Sequence, residues 1–563
     1  MEKRINKKYF VITSVLFIFF VLLNIFISHS TLERGDNYYN ILGSVGLIEN
    51  HLEPIGDYDL FQHRSDVTLN HPPFIFYFWA LILFVFKTPI ALNTLGMVFI
   101  LLSGFLIIKV LKLINKDISD KTLIISYVLF LFVPLIMQGS YLIDLDNILP
   151  FTMLLFTYFY LKNSNRIFIN SLFFMLIWIT KIQGVPIIAS ALFLYLIFTK
   201  KPKKDFFNGL LIISVGSALF FILVYLYANF FNVDFARMFT HSSIIGTILK
   251  QLSNPSKAIL TSVWSMKQLI FWILPSMFVL YLIGIFNYVK RKEWKTNEKL
   301  MLPILVSVMT LFELVPIGTY GWNFPKYYLE FIPFMILTIS PIIEKIKFSK
   351  KDFLKIAILL LISINYFLLV ADPYIPEVNE AFTQKNYFDL AMKVIINFDI
   401  LIIPLILSFI FYKGWKSDKN KLIKILIIAS FVSFLSIGIM QITKPYSTNN
   451  LYGDSHEDLT NTLNYLRENA NSEDKLFLFP HVGYYFGNSD NTNWYNSMLC
   501  YNSEDCIKNV TQNQEVKFMQ FYPKDLKRLD GKVKEIVEEE FKYDVQFGDY
   551  VIYKRIENLS KSF

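Results

Sequence analysis

Apolar residues run along most of this chain in long blocks separated by short polar turns. A helix needs about 20 apolar residues to cross a bilayer, with a range of about 17–25. On that measure about thirteen spans are expected. They fall near 9–29, 90–112, 122–138, 147–162, 167–181, 184–199, 206–230, 266–289, 299–316, 327–343, 353–371, 398–412 and 421–442. One further run, 74–86, lies between His71-Pro72-Pro73 and Lys87. It is too short for a comfortable span, which favours a re-entrant or interfacial helix. The block pattern stops near 443, and the tail alternates polar and apolar residues over short stretches. Residues 457–469 suit a helix, and 475–480 and 515–522 suit strands. Residues 524–541 suit a charged amphipathic helix, and 549–555 a last strand.

Charge in the turns tests the count. The first residues, Met1-Glu2-Lys3-Arg4-Ile5-Asn6-Lys7-Lys8, are basic and therefore expected on the cytoplasmic side. If 74–86 does not cross, the cytoplasmic turns are 113–121, 163–166, 200–205, 290–298, 344–352 and 413–420. Four of these are rich in basic residues: 200–205, 290–298, 344–352 and 413–420. If 74–86 crossed, all four would lie outside, against the positive-inside rule. The outer face then holds the loop 30–89, short or medium connections, and the tail 443–563. No cleavable leader is evident after the first apolar run.

Composition agrees. Hydrophobic residues make up 54% of the 563, charged residues only 18%, and the mean hydropathy is +0.43. Soluble domains carry roughly 25% charged residues, so a string of soluble domains is excluded. The net charge of +9, from 54 basic and 45 acidic residues, sits in short turns between apolar blocks. It marks membrane orientation and gives no reason to expect a nucleic-acid partner. Two cysteines exclude a disulfide-rich scaffold and a Cys-rich metal site. Both, Cys500 and Cys506, lie in the tail, where an oxidising exterior would allow a bridge without requiring one.

The candidate chemistry is on the outer face, because the inner face has only short basic turns. The first outer loop opens with Arg34-Gly35-Asp36-Asn37-Tyr38-Tyr39 and closes with His71-Pro72-Pro73, with Asp57, Asp59, Arg64 and Asp66 between. A second acidic site, Asp144-Leu145-Asp146-Asn147, runs into the fourth span. Two acidic sites at the outer mouths of early helices can converge on one cavity.

These motifs resemble those of the GT-C glycosyltransferases. They are most similar to the branch with the protein O-mannosyltransferases and the lipid A aminoarabinose transferases. That branch carries an acidic residue after the first span, then His-Pro-Pro, then an Asp heading an apolar helix. Here Asp36-Asn37-Tyr38-Tyr39, His71-Pro72-Pro73 and Asp146 stand in that order. Thr180-Lys181-Ile182-Gln183-Gly184 resembles the family's Thr-Lys-Gly turn with an insertion. Pro325-Lys326-Tyr327-Tyr328 resembles its Arg-Tyr element, with Lys in place of Arg. The resemblance covers the whole chain in layout. It implies a polytopic α-helical GT-C-like transmembrane catalytic domain over 1–442 and an extracytoplasmic α/β domain over 443–563. The localisation implied is the plasma membrane.

The activity implied is transfer of a sugar from a polyprenyl-phosphate donor to an extracytoplasmic acceptor. Protein, glycolipid and cell-envelope polymer all stay open as acceptors. Displacement at the anomeric carbon needs a base for the incoming hydroxyl and support for the departing phosphate. Asp36 is the expected base, and Asp146 orients the acceptor or partners Asp36. Asp146 equally suits an N-cap. Lys181, Lys326 and Arg64 are candidates for the donor phosphate, although either lysine could simply snorkel to the interface. Tyr38, Tyr39, His71, Asp144 and Glu313 are candidates for acceptor or sugar contacts, and Trp322 could stack on a sugar ring. His71-Pro72-Pro73 also suits a purely structural helix start. Asp57-Tyr58-Asp59 and Asp144-Leu145-Asp146 have spacing that could serve Mg²⁺ or Mn²⁺, but no obligatory metal is expected. Two other classes remain, a transporter or lipid flippase and a non-catalytic envelope-assembly scaffold. No internally repeated halves or broken-helix pattern favours the transporter.

Overall fold

In a computed structural model the chain divides into two compact units. One comprises residues 1–27, 69–75 and 90–451, the other residues 28–68, 76–89 and 452–563. The structure describes residues 73–86, 90–140, 144–199, 202–232, 272–293, 297–317, 325–346, 422–430, 453–471, 473–479, 494–496, 504–522, 531–548 and 550–556. It also describes single residues and short pieces within 11–52 and 266–270, with Asn420, Val482 and Gly483; a few positions inside these ranges are excepted.

The first unit is a helical bundle. In chain order its described helices are α2 (Ile90–Ile114), α3 (Asp120–Leu131), α4 (Pro134–Gly139), α5 (Leu145–Lys162), α6 (Ile167–Thr180) and α7 (Gly184–Phe198). They continue with α8 (Lys203–Phe231), α9 (Pro275–Lys290), α10 (Met301–Ile317) and α11 (Phe331–Ile343). Helix α1 (Phe74–Phe86) begins in this unit and belongs mostly to the second. Two described segments are long and apolar enough to cross a membrane by length and composition, Thr94–Ile114 and Lys203–Phe231. Helices α1, α6, α7 and α11 are apolar but shorter, as is Ser276–Lys290.

Local chemistry sets the ends. Ser119 caps α3 by accepting from the Thr122 N–H, and Asp144 caps α5. Asn232, with a left-handed φ of 54°, stops α8. Three expected spans differ from what forms. The run 122–138 is split into α3 and α4, with Pro134 starting the second piece; a proline cannot donate to the helix before it. In the run 266–289, α9 starts at Pro275 and Leu274 has a φ of 73°, outside helical geometry. The run 327–343 opens with a short 3₁₀ turn, Pro325–Tyr328, ahead of α11. Expected spans 353–371 and 398–412 lie outside the described residues, as do parts of 9–29 and 421–442.

Helix α11 is the bundle's centre. All but one of its residues are buried, and it packs against α3, α9 and α10. Helix α6 lies along α8, α2 along α5, and α7 along α10. Paired hydroxyls join helices in the apolar interior, Ser126 to Ser340 at 2.7 Å and Tyr281 to Ser307 at 2.9 Å. Outward positions are apolar too. Phe207, Ile222, Leu226 and Phe230 of α8 are all more than half exposed, as lipid-facing residues would be.

The turns expected on one face do meet at one end. The Ser119 N–H and hydroxyl donate to Glu344 at 3.1 and 2.7 Å, and Lys121 donates to the Ile346 carbonyl at 2.7 Å. Lys345 reaches Glu293 at 3.8 Å. Asn208, near the start of α8, donates to Asn165 in the turn 163–166 at 3.3 Å. Turns 113–121, 290–298 and 344–352 thus gather together, and 163–166 meets the start of α8.

The second unit holds a sheet of five strands in the order β4-β3-β5-β7-β6. These are β3 (Lys475–Leu478), β4 (Trp494–Asn496), β5 (Val516–Phe521), β6 (Phe541–Phe547) and β7 (Tyr550–Arg555). The β3 pairings are parallel and the β7 pairings antiparallel. Helices α12 (His456–Asn469), α13 (Glu504–Gln512) and α14 (Gly531–Glu540) accompany it. The expected helix 524–541 is wrong at its end, because Phe541 already belongs to β6. Phe541, Tyr543, Val545 and Phe547 alternate with polar residues, which is strand periodicity. Buried Arg555 donates to the carbonyls of Val516, Thr511 and Asn513 and to Glu540. A separate two-stranded ladder joins β1 (Thr31–Glu33) to β2 (Gly453–Ser455), with Thr31 opposite Ser455.

Candidate active site

Three turns of the bundle bring charged side chains together. The first is the start of α5. Asp144 has an extended backbone and its side chain accepts from the Asp146 N–H at 3.5 Å. The capping role therefore falls to Asp144, and Asp146 sits inside the first turn, 1% exposed. The second is the turn from α6 to α7. The Lys181 N–H closes α6 on Ile177 at 2.9 Å, and the Gly184 N–H returns to the Lys181 carbonyl at 3.1 Å. A Cβ on Gly184 would lie 2.6 Å from Leu149 and 2.8 Å from Ile177. Only glycine lets the turn sit this close to α5. The third is the 3₁₀ turn carrying Lys326, which packs against α4. There a Cβ on Gly139 would meet Leu329 at 2.8 Å.

The result is a buried ion-pair cluster. Lys181 donates to Asp146 Oδ1. Lys326 donates to Asp144 Oδ2 at 2.5 Å and lies 3.9 Å from Asp146 Oδ2. The Tyr327 ring lies beneath both ammonium groups, 4.6 Å from Lys181 Nζ and 5.4 Å from Lys326 Nζ. Cations over a ring face are stabilised by its quadrupole. All four charged residues are buried. Taking such charges out of water costs several kcal/mol per ion unless pairing is close. Here each ammonium has a carboxylate within hydrogen-bond reach.

One residue of the cluster was not singled out from sequence. Glu330 lies four residues after Lys326 and is 2% exposed. Its Oε2 has no hydrogen-bond partner among the described residues, and neither has Asp146 Oδ2. An acid four residues beyond a motif lysine at the mouth of an apolar span was the available signal.

Of the expected site residues, Asp144, Asp146, Lys181 and Lys326 are brought together. Asp36, Tyr38, Tyr39, Arg64 and His71 lie outside the described residues, as do Asp57, Asp59 and Trp322. Glu313 belongs to α10, and its side chain lies outside the described residues. Among the described residues no group of three or more His, Cys, Asp or Glu is arranged to hold a metal ion.

No protein-family model matches the sequence, and no curated protein matches it. Solved structures do match in fold. The crystal structure of ArnT from Cupriavidus metallidurans in the apo state aligns at TM-score 0.59 and 12% identity, over 98% of each chain. The same protein bound to undecaprenyl phosphate aligns at 0.61 and 13%, over 98% of this chain and 99% of that one. This chain has the fold of ArnT. The archaeal oligosaccharyltransferase AglB from Archaeoglobus fulgidus, in complex with an inhibitory peptide and a dolichol-phosphate, aligns at 0.48 and 11%, over 98% of this chain and 75% of that one. The fold carries the helix-heading aspartates and the two lysine turns to one place in the bundle.

Proposed function

We propose that this protein is an integral membrane glycosyltransferase that moves a sugar from a polyprenyl-phosphate donor to an extracytoplasmic acceptor. The observation that carries this reading is the buried pairing of Lys181 and Lys326 with Asp146 and Asp144, in a chain that has the fold of ArnT. ArnT itself binds undecaprenyl phosphate.

The chemistry follows from the charges. The acceptor hydroxyl attacks the anomeric carbon and gives its proton to Asp36. The bond from that carbon to the phosphate oxygen breaks, and the phosphate leaves with the electron pair. Negative charge grows on that oxygen, so fixed cations nearby lower the barrier. Lys181 and Lys326 supply them, and an ammonium has three donors to share between a carboxylate and a phosphate. Asp144 and Asp146 aim the lysines and keep them charged in an apolar interior. Arg64 adds a cation from the first outer loop, and Tyr38, Tyr39, His71 and Glu313 contact acceptor or sugar. The reading needs no metal, because the lysines carry the positive charge.

In this reading the site faces the exterior of the plasma membrane and the basic turns face the cytoplasm. The tail supports that side. Cys506 is disulfide-bonded, and Cys500 is the chain's only other cysteine; such bonds persist in oxidising compartments.

The test uses the purified full chain in lipid nanodiscs with radiolabelled undecaprenyl-phosphate sugars. Wild type should consume a donor, and Asp36→Asn should lose at least about a hundredfold in rate, the span of general-base catalysis. An undiminished Asp36→Asn rate would remove the base assignment. A wild type that consumes none of the donors would favour a transporter or an assembly scaffold.

A further inference from the structure

Asp144, Asp146 and Glu330 outnumber Lys181 and Lys326 by one carboxylate, and all five are buried. The lysines' hydrogen bonds do not take up every carboxylate oxygen. Lys181 engages Asp146 Oδ1, Lys326 engages Asp144 Oδ2, and two oxygens, Asp146 Oδ2 and Glu330 Oε2, accept no hydrogen bond from any described residue. Glu330 interacts electrostatically with both Asp146 and Lys181, so the two oxygens belong to one neighbourhood. A buried acceptor without a donor costs about 1–3 kcal/mol, more when charged. Folds rarely keep two such atoms together without something to fill them.

A phosphate cannot fill them, because it brings further acceptors and more negative charge. A partner with O–H donors can. The group that must lie beside the lysines when they hold a donor phosphate is the sugar attached to it. We propose that Glu330, together with Asp146, forms a subsite that binds the donor's sugar through two of its hydroxyls. Glu330 is thereby a specificity-determining residue of the reaction. The inference rests on the glycosyltransferase reading and extends it to the sugar. The substrate class it names is a polyprenyl-phosphate sugar with at least two free ring hydroxyls. Lys181 and Lys326 read the phosphate, and the two carboxylates read the sugar.

Binding to two ligands separates these roles. The full chain is titrated with undecaprenyl phosphate, which has the phosphate and no sugar, and with undecaprenyl phosphate carrying mannose, glucose, galactose or arabinose. Wild type should bind the bare lipid and at least one sugar-linked lipid more tightly than the bare one. Glu330→Gln keeps the side chain's shape but replaces one acceptor oxygen with a donor. It should lose about tenfold or more for that sugar-linked lipid, the loss expected when a buried hydrogen bond is removed and its partner is left unsatisfied. It should bind the bare lipid within about twofold of wild type. Glu330→Asp keeps the carboxyl group and withdraws its oxygens, and should show the same selective loss. If either variant melts more than a few degrees below wild type, the comparison is made with the other. Equal losses for both lipids, or none, would overturn the subsite while leaving the glycosyltransferase reading intact. So would collapse of both variants, since Glu330 would then be a structural residue. A wild type that binds the bare lipid but prefers no sugar-linked lipid would also overturn it. A wild type that binds neither kind of lipid would overturn the broader reading.

Discussion

The two ends of the helical bundle are built from the same residue types and spend them differently. At the end formed by turns 113–121, 290–298 and 344–352, Lys345 and Arg291 approach Glu293 at 3.8 and 3.9 Å with both cationic side chains about half exposed. Such pairs are screened by water and salt and contribute about 0–1 kcal/mol. At the other end, Lys181, Lys326, Asp144 and Asp146 have side chains no more than 6% exposed. Pairing there is close, yet two carboxylate oxygens are left without a donor. Stability alone does not ask for that arrangement, since a well-packed apolar cluster would serve as well or better. A water-facing end tolerates charge at little cost, and a dry interior holds it only when each ion is closely paired.

The largest effect that would break this contrast is at the buried pair. Lys181→Met leaves Asp146 without its nearest cation. It should cost about 3–5 kcal/mol, read as a fall in the melting temperature in detergent or nanodiscs. The double variant Lys181→Met/Asp146→Leu should recover most of that stability and none of the sugar transfer. Recovery of both would mean that the cluster is only a structural pair. Next in size is Gly184→Ala, whose Cβ would press on Leu149 and Ile177. Overpacking of this kind costs about 1–3 kcal/mol. The transfer rate should fall further than the stability loss explains, because the displaced turn carries Lys181.

The opposite end should respond weakly and to pH. Partial burial pushes the Glu344 carboxyl up, but hydrogen bonds from Thr122 and Ser119 and the nearby Lys121 outweigh it and hold the carboxyl below the usual glutamate range. Its stabilisation is therefore present above the unfolded pKa and lost as pH falls through the folded one. Glu344→Gln should lower stability at neutral pH by under about 1 kcal/mol. The gap to wild type should close in acid melts. Smallest of all, Lys345→Met should change stability by no more than about 0.5 kcal/mol, and added salt should abolish the difference. A strong effect there would show that the two ends are less unlike than their exposures indicate.

Much of this was legible from the chain. Apolar block length located most described helices to within a few residues, and the alternation of spans and turns anticipated which turns meet. Helix 74–86 was readable because His71-Pro72-Pro73 and Lys87 bracket it. Asp144, Asp146, Lys181 and Lys326 stood out because they stand at the mouths of apolar helices in motifs that resemble those of the GT-C glycosyltransferases. Their pairing was not readable. Lys326 and Asp144 are 182 positions apart, and no local pattern records a contact across the bundle. Glu330 was hidden for a related reason, since burial is set by the helices packed around α11. Asp144 took the cap expected of Asp146 because the helix starts one residue later than Asp144 itself. In the tail the strand Phe541–Phe547 was masked by the charged helix before it, whose acidic run continues to Glu540. Its alternation was present in the sequence and was outweighed by helical composition.

The short ladder between Thr31–Glu33 and Gly453–Ser455 sets an order on biosynthesis. Its first strand, Thr31–Glu33, is made long before its partner, Gly453–Ser455. Until then the first strand's edge must wait unpaired, and contacts so distant along the chain form late. A ribosome that stalls before Gly453 would release a chain that lacks this ladder altogether. The segment leading to Asp36, three residues past Glu33, would then lack its β partner.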